Sequence, residues 1–121
     1  MSGMSTPTSQ PIVTYPALVG KLLARRREQL ALKQGVVAEA LGISQSAYSR
    51  LEAGESVLNL TQLRNVCTQL GVTPAQVLQA ADQYEVQLRS QGVEVAAEKP
   101  ADLAAIAIGL GLLAALFLGS K

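Results

Sequence analysis

Residues 34–53 read QGVVAEALGISQSAYSRLEA. Val37, Ala38 and Leu41 fall at i, i+1 and i+4, one face of a short helix over Gln34–Leu41. Gly42 then interrupts, as a glycine just past a helix C-terminus does. Ile43 follows, and Ser44 is a hydroxyl residue suited to cap a next helix running through about Ala53, which Gly54 ends. Two short helices therefore meet across a tight turn. The small side chain of Ala38 lets them touch, and Val37, Leu41, Ile43, Tyr48 and Leu51 lock the angle between them.

Working outward, the stretch from Ala17 to about Leu32 is rich in helix formers, with Leu18, Leu22 and Leu30 roughly on one stripe. Downstream, Asn59 or Thr61 starts a fourth helix. Its Leu63, Val66, Cys67 and Leu70 repeat at i, i+3, i+4 and i+7, the pattern of one buried face. Gly71 closes it. Thr73-Pro74 is a start signal, a hydroxyl cap followed by proline in the first turn. The fifth helix carries Val77, Ala81, Tyr84 and Leu88 and runs to about Ser90. No alternating strand pattern competes, so the chain is expected to be all-α. Residues 17–90 form the domain. Residues 1–16, rich in Ser, Thr and Pro, read as a mobile leader without the basic start and apolar core of a secretory signal. Residues 91–101 read as a linker.

The spacing over 34–53 resembles the lambda Cro/CI-like (XRE-type) helix-turn-helix family. Other marks of that family are Leu41-Gly42-Ile43-Ser44, Ser49-Arg50-Leu51-Glu52-Ala53-Gly54 and Leu70-Gly71-Val72, and the likeness covers all five helices. It implies a five-helix domain whose second motif helix enters the major groove of double-stranded DNA. Carried onto this chain, Gln45, Ser46, Ser49 and Arg50 face the bases, with Ser44 at the helix start. Arg50 suits direct readout, because a guanidinium pairs with both acceptors on a guanine edge. Gln34 matches the family's phosphate-contacting position, with Lys33 beside it. Arg27 and Glu52 occupy the two positions of a structural ion pair. Two departures stand out. Glu55 replaces the basic or polar residue usual after the glycine, where it would repel phosphate, and Tyr48 replaces a smaller branched residue.

Bulk charge does not point to nucleic acid. The chain carries +1 over 121 residues, and any DNA-binding surface must come from arrangement. Among residues 17–92 the basic side chains are Lys21, Arg25, Arg26, Arg27, Lys33, Arg50, Arg64 and Arg89. They face Glu28, Glu39, Glu52, Glu55, Asp82 and Glu85. One cysteine, Cys67, excludes an internal disulfide. With no histidine, His metal sites and His acid–base catalysis are unavailable, and no phosphate-cradling glycine loop is present. Neither an enzyme nor a metal or cofactor site is expected.

Residues 103–118 (LAAIAIGLGLLAALFL) contain no charge or strongly polar group. As a helix they span about 24 Å against a hydrocarbon core of about 30 Å. Nine are Leu, Ile or Phe, so partition into lipid is expected, with Asp102 and Lys121 at the two interfaces. Residues 102–119 are therefore read as a single transmembrane helix following the linker. Ala107, Gly111, Ala115 and Gly119 form a small-residue stripe that would let two such helices approach, consistent with a homodimer. The expected placement is the cytoplasmic face of a bacterial inner membrane. Two functions follow. One is a membrane-tethered, sequence-specific DNA-binding protein, either a transcriptional regulator or a DNA–membrane anchor. The other is a membrane-anchored adaptor gripping a cytoplasmic protein partner, as the RodZ-like proteins do by resemblance.

Overall fold

A computed structural model describes residues 10–98 and 103–119, with side chains in the last segment from 105 to 117. The order is β1 (Ile12–Thr14), α1 (Tyr15–Gln29), α2 (Gln34–Leu41), α3 (Gln45–Ala53), α4 (Leu60–Leu70), α5 (Pro74–Ser90), β2 (Glu94–Ala96) and α6 (Leu103–Gly119). The caps explain the boundaries. Ser44 Oγ accepts from Ala47 N at 3.1 Å. Asn59 with Gln62, and Thr73 with Gln76, each form a reciprocal capping box. Gly42, Gly54 and Gly71 close α2, α3 and α4 in the left-handed conformation. Of the two possible starts for α4, Asn59 is the cap.

The core gathers Leu18, Leu23, Val37, Ala38, Tyr48, Leu51, Val66, Cys67, Leu70, Ala81 and Leu88. The buried face of α1 differs from the expected stripe. Leu18 is buried, but Leu22 is half-buried and Leu30 is exposed, whereas Val19, Gly20, Leu23 and Arg27 turn inward. Gly20 sets how closely α1 approaches α3: a Cβ there would collide with the Leu51 and Glu52 carbonyls. Gly54 is equally constrained, with φ 77° and no room for a side chain against Ala17.

Two expectations are corrected. The fold is mostly helical rather than all-α, because β1 and β2 pair in parallel with Ile12 opposite Glu94, Val13 opposite Val95 and Thr14 opposite Ala96. Three-residue strands are too short to display alternation, and only their partner declares them. The leader and linker are accordingly shorter than expected. Residues 12–16 belong to β1 and α1, with Thr14 Oγ1 accepting from Ala17 N at 3.1 Å to cap α1, and 94–96 belong to β2. Residues 1–9 and 99–102, and the anchors Asp102 and Lys121, lie outside the described residues.

The apolar tail forms the last helix. α6 has 17 residues, and among the described residues no helix is long and apolar enough to cross a membrane. α6 instead lies on the domain. Ala105, Gly109, Leu113 and Phe117, every fourth residue, are its buried row. A side chain at Gly109 would collide with the Ile12 backbone. Phe117 stacks on Tyr84 with ring centroids 4.6 Å apart, and Arg25 sits 5.7 Å over the same ring while donating to the Phe117 carbonyl at 2.9 Å. The row Ala107, Gly111 and Ala115 is on the opposite, exposed face with Ile108.

Candidate nucleic-acid interface

α3 is amphipathic in the way a recognition helix needs to be. Tyr48, Leu51 and Glu52 turn inward, while Gln45, Ser46 and Arg50 are exposed and Ser49 is half-buried at the edge. The Arg50 guanidinium has no partner among the described residues. Its carbonyl accepts from Glu55 N at 2.9 Å, which closes the chain tightly past Gly54. Lys33 is exposed as the residue capping α2, without a side-chain cap bond. Five expected positions, Lys33, Gln45, Ser46, Ser49 and Arg50, thus reach the surface around α3.

Ser44 and Gln34 also make bonds within the domain. The Ser44 hydroxyl accepts from Ala47 N and lies 3.4 Å from Ser46 Oγ, so it is engaged at the helix start. Gln34 Nε2 donates to Glu52 Oε1 at 2.9 Å. That bond adds Gln34 to the ion pair expected between Arg27 and Glu52. Arg27 Nε donates to Glu52 Oε2 at 2.7 Å and Nη2 to Oε1 at 3.0 Å, and Nη1 donates to the Leu32 carbonyl at 2.8 Å. Both side chains are buried, 11% and 6% exposed. The Glu52 carboxylate raises the Arg27 pKa above its ordinary value despite the opposing effect of burial. This network ties α1, the start of α2 and the end of α3 into one unit, fixing the angle at which α3 is presented.

Beside the network lies Tyr48, 1% exposed, whose hydroxyl has no hydrogen-bond partner among the described residues. Burial, and then neighbouring Glu52, push its pKa far above the ordinary phenol value. The larger residue at this position fills the core while stranding one polar atom.

An open cleft of about 380 Å³ borders α3 on its α1 side, lined by Lys21, Arg27, Gln34, Ser49, Glu52 and the α6 residue Leu110, among others. Lys21 was not among the expected contacts. Its ammonium has no partner among the described residues, and no local pattern distinguishes it from a solvated lysine on α1. Glu55 is exposed directly after α3, where the sequence departs from the family.

The sequence profile of a helix-turn-helix domain family matches residues 18–80, from α1 into α5. No curated protein matches the chain. Two crystal structures of the clp gene regulator ClgR from Corynebacterium glutamicum are similar to it. One is 27% identical with a TM-score of 0.61, over 64% of this chain and 82% of that one. The other is 28% identical with a TM-score of 0.55, over 58% and 91%.

Proposed function

We propose that this chain, which belongs to the helix-turn-helix domain family, is a sequence-reading DNA-binding protein of the Cro/CI-like kind that acts as a transcriptional regulator. The observation that carries this is the division of α3, with Gln45, Ser46 and Arg50 exposed in one row and Tyr48, Leu51 and Glu52 buried behind it. A helix so divided can enter the major groove, about 12 Å wide, without giving up core contacts. Unpaired Arg50 matches the O6 and N7 acceptors of guanine, and Gln45 matches adenine. Lys33 and the first turn of α2 are disposed toward phosphate. Similarity to ClgR, a gene regulator, supports the same reading. Two copies on an inverted repeat would double a modest electrostatic attraction.

Glu55 favours a second reading, in which the same face grips a protein. It is exposed beside α3 and repels phosphate, and the whole chain is nearly neutral.

Selection of bound duplexes from a random-sequence pool, repeated with Arg50→Ala, separates the two. A DNA reader enriches a defined site. Arg50→Ala then loses preference at one position, worth about 1–3 kcal/mol, while the fold is retained. Absence of any enriched site in the unaltered chain would refute the DNA reading in favour of protein docking. Unchanged preference in the variant would remove Arg50 from the readout.

A further inference from the structure

α6 reaches the flank of the reading face. Leu110, Leu113 and Ala114 line one wall of the 380 Å³ cleft whose other walls carry Gln34 and Ser49. A second cleft, of about 240 Å³, sets Ile106 and Leu110 beside Ala53, Gly54 and Glu55, directly past α3. α6 therefore follows this flank from the end of α3 back to Lys21. Leu110 is 37% exposed and stands out of the cleft rather than sealing it.

A helix centred in a major groove has a phosphate strand about 6 Å to either side. With α3 in the groove, the strand on the Gln34 and Ser49 side passes over this cleft. α6 meets it with Leu110 and Ala114, and no residue of Leu103–Gly119 has a polar side chain. A phosphate pressed against that wall gives up water and gains no donor, which is unfavourable. Lys21, the unpaired cation lining the same cleft, is the group such a phosphate would seek, and Ala114 lines the cleft beside it.

We propose that docked α6 is an autoinhibitory element that opposes DNA binding at the flank of α3, so that DNA and the docked helix compete. This rests on the DNA-reading function proposed above. α6 is held by Leu113, the Phe117–Tyr84 stack, the Arg25 contacts and the close crossing of Gly109 over β1, and releasing it leaves the core of α1 to α5 in place.

Two glycines of α6 supply the test. Gly109 crosses the Ile12 backbone, which pairing with β2 pins in place, so Gly109→Val forces α6 off. Gly111 faces open space, so Gly111→Val makes the same chemical change with the helix still docked. Binding of the full chain and both variants to a mixed-sequence duplex of about 30 base pairs is measured by fluorescence anisotropy at low salt, where phosphate contacts dominate. Gly109→Val is expected to bind about tenfold more tightly than the unaltered chain, within the usual range of coupling between two states, with Gly111→Val unchanged. Equal affinity, or weaker binding by Gly109→Val, overturns autoinhibition and leaves the DNA reading standing. No binding by any of the three ends the DNA reading and autoinhibition together. If circular dichroism shows Gly109→Val unfolded, Phe117→Ala takes its place. It removes the Tyr84 stack while keeping the Gly109 crossing, and tightening or its absence decides in the same way.

Discussion

Replacing Glu52 with leucine should be among the most damaging single changes in this domain, and replacing its partner as well should undo most of the damage. Glu52 accepts from Arg27 Nε and Nη2 and from Gln34 Nε2. Without it, a guanidinium only 11% exposed keeps a hydrogen bond to the Leu32 carbonyl and an ion pair with the largely exposed Glu28 at 3.8 Å, and Gln34 loses its bond. Removing one member of a buried pair costs about 3–5 kcal/mol, because an uncompensated charge remains. Against a total stability of about 5–15 kcal/mol that is severe. At about 4–8 °C per kcal/mol for a domain of this size, the melting temperature should fall by more than about 10 °C. Arg27→Met with Glu52→Leu removes both charges and should return to within about 1–2 kcal/mol of the unaltered chain. Urea denaturation of the four proteins of the cycle, followed by circular dichroism, measures this directly. A cost below about 1 kcal/mol for Glu52→Leu alone, or a double variant no better than the single one, would refute the reasoning.

Two further outcomes follow from stranded or strengthened hydroxyls. Tyr48→Phe deletes a buried polar atom that has no partner and should be neutral or stabilising by up to about 1 kcal/mol, whereas a loss above that would reveal a bond the hydroxyl makes. Tyr15 Oη donates to Asp82 Oδ1 at 2.8 Å, and burial first, then Asp82, push its pKa up to about 12 from 10.0. The folded state therefore holds this proton more tightly than the unfolded one. The contribution of this contact is complete below pH 10 and is lost as pH rises toward 12. Tyr15→Phe should flatten the decline of stability across that window, and equal alkaline slopes in both proteins would exclude Tyr15 as its source.

Much of the domain was legible because its helix ends are chemically marked. Ser44, Asn59 and Thr73 are caps, Pro74 sits in a first turn, and Gly42, Gly54 and Gly71 are stops, and each signal acts within about four residues of the backbone it satisfies. The outward row of Gln45, Ser46 and Arg50 and the pairing of Glu52 were implied by the family resemblance, while Leu51 was read as one of the apolar residues that lock the two motif helices. Features that depend on a distant partner were not legible. β1 and β2 are each three residues long and define one another. The phase of α1 is set by Gly20 lying under the Leu51 and Glu52 carbonyls, which a periodicity of large apolar residues passes over. The bond from Gln34 to Glu52 was not legible either, because nothing near Gln34 in the chain announces its partner. α6 is apolar on every face, so it carries no phase, and a helix without phase shows neither which side docks nor whether any does. Gly109 and Gly111 look alike in the sequence, yet one lies against a strand and the other against open space.

The parallel pairing of β1 with β2 also constrains how the chain is assembled. Ile12 is synthesised before Glu94, opposite it, which follows about eighty residues later, and closing a loop of that length costs entropy before the pairing offers any return. The helices from α1 to α5 make contacts over much shorter spans and can settle while β1 still has no neighbour. During synthesis β1 must therefore wait, an unpaired apolar edge beside a nearly finished domain, until β2 arrives to hold it and α6 to cover it. β1, made before the five helices it flanks, finds its place after them.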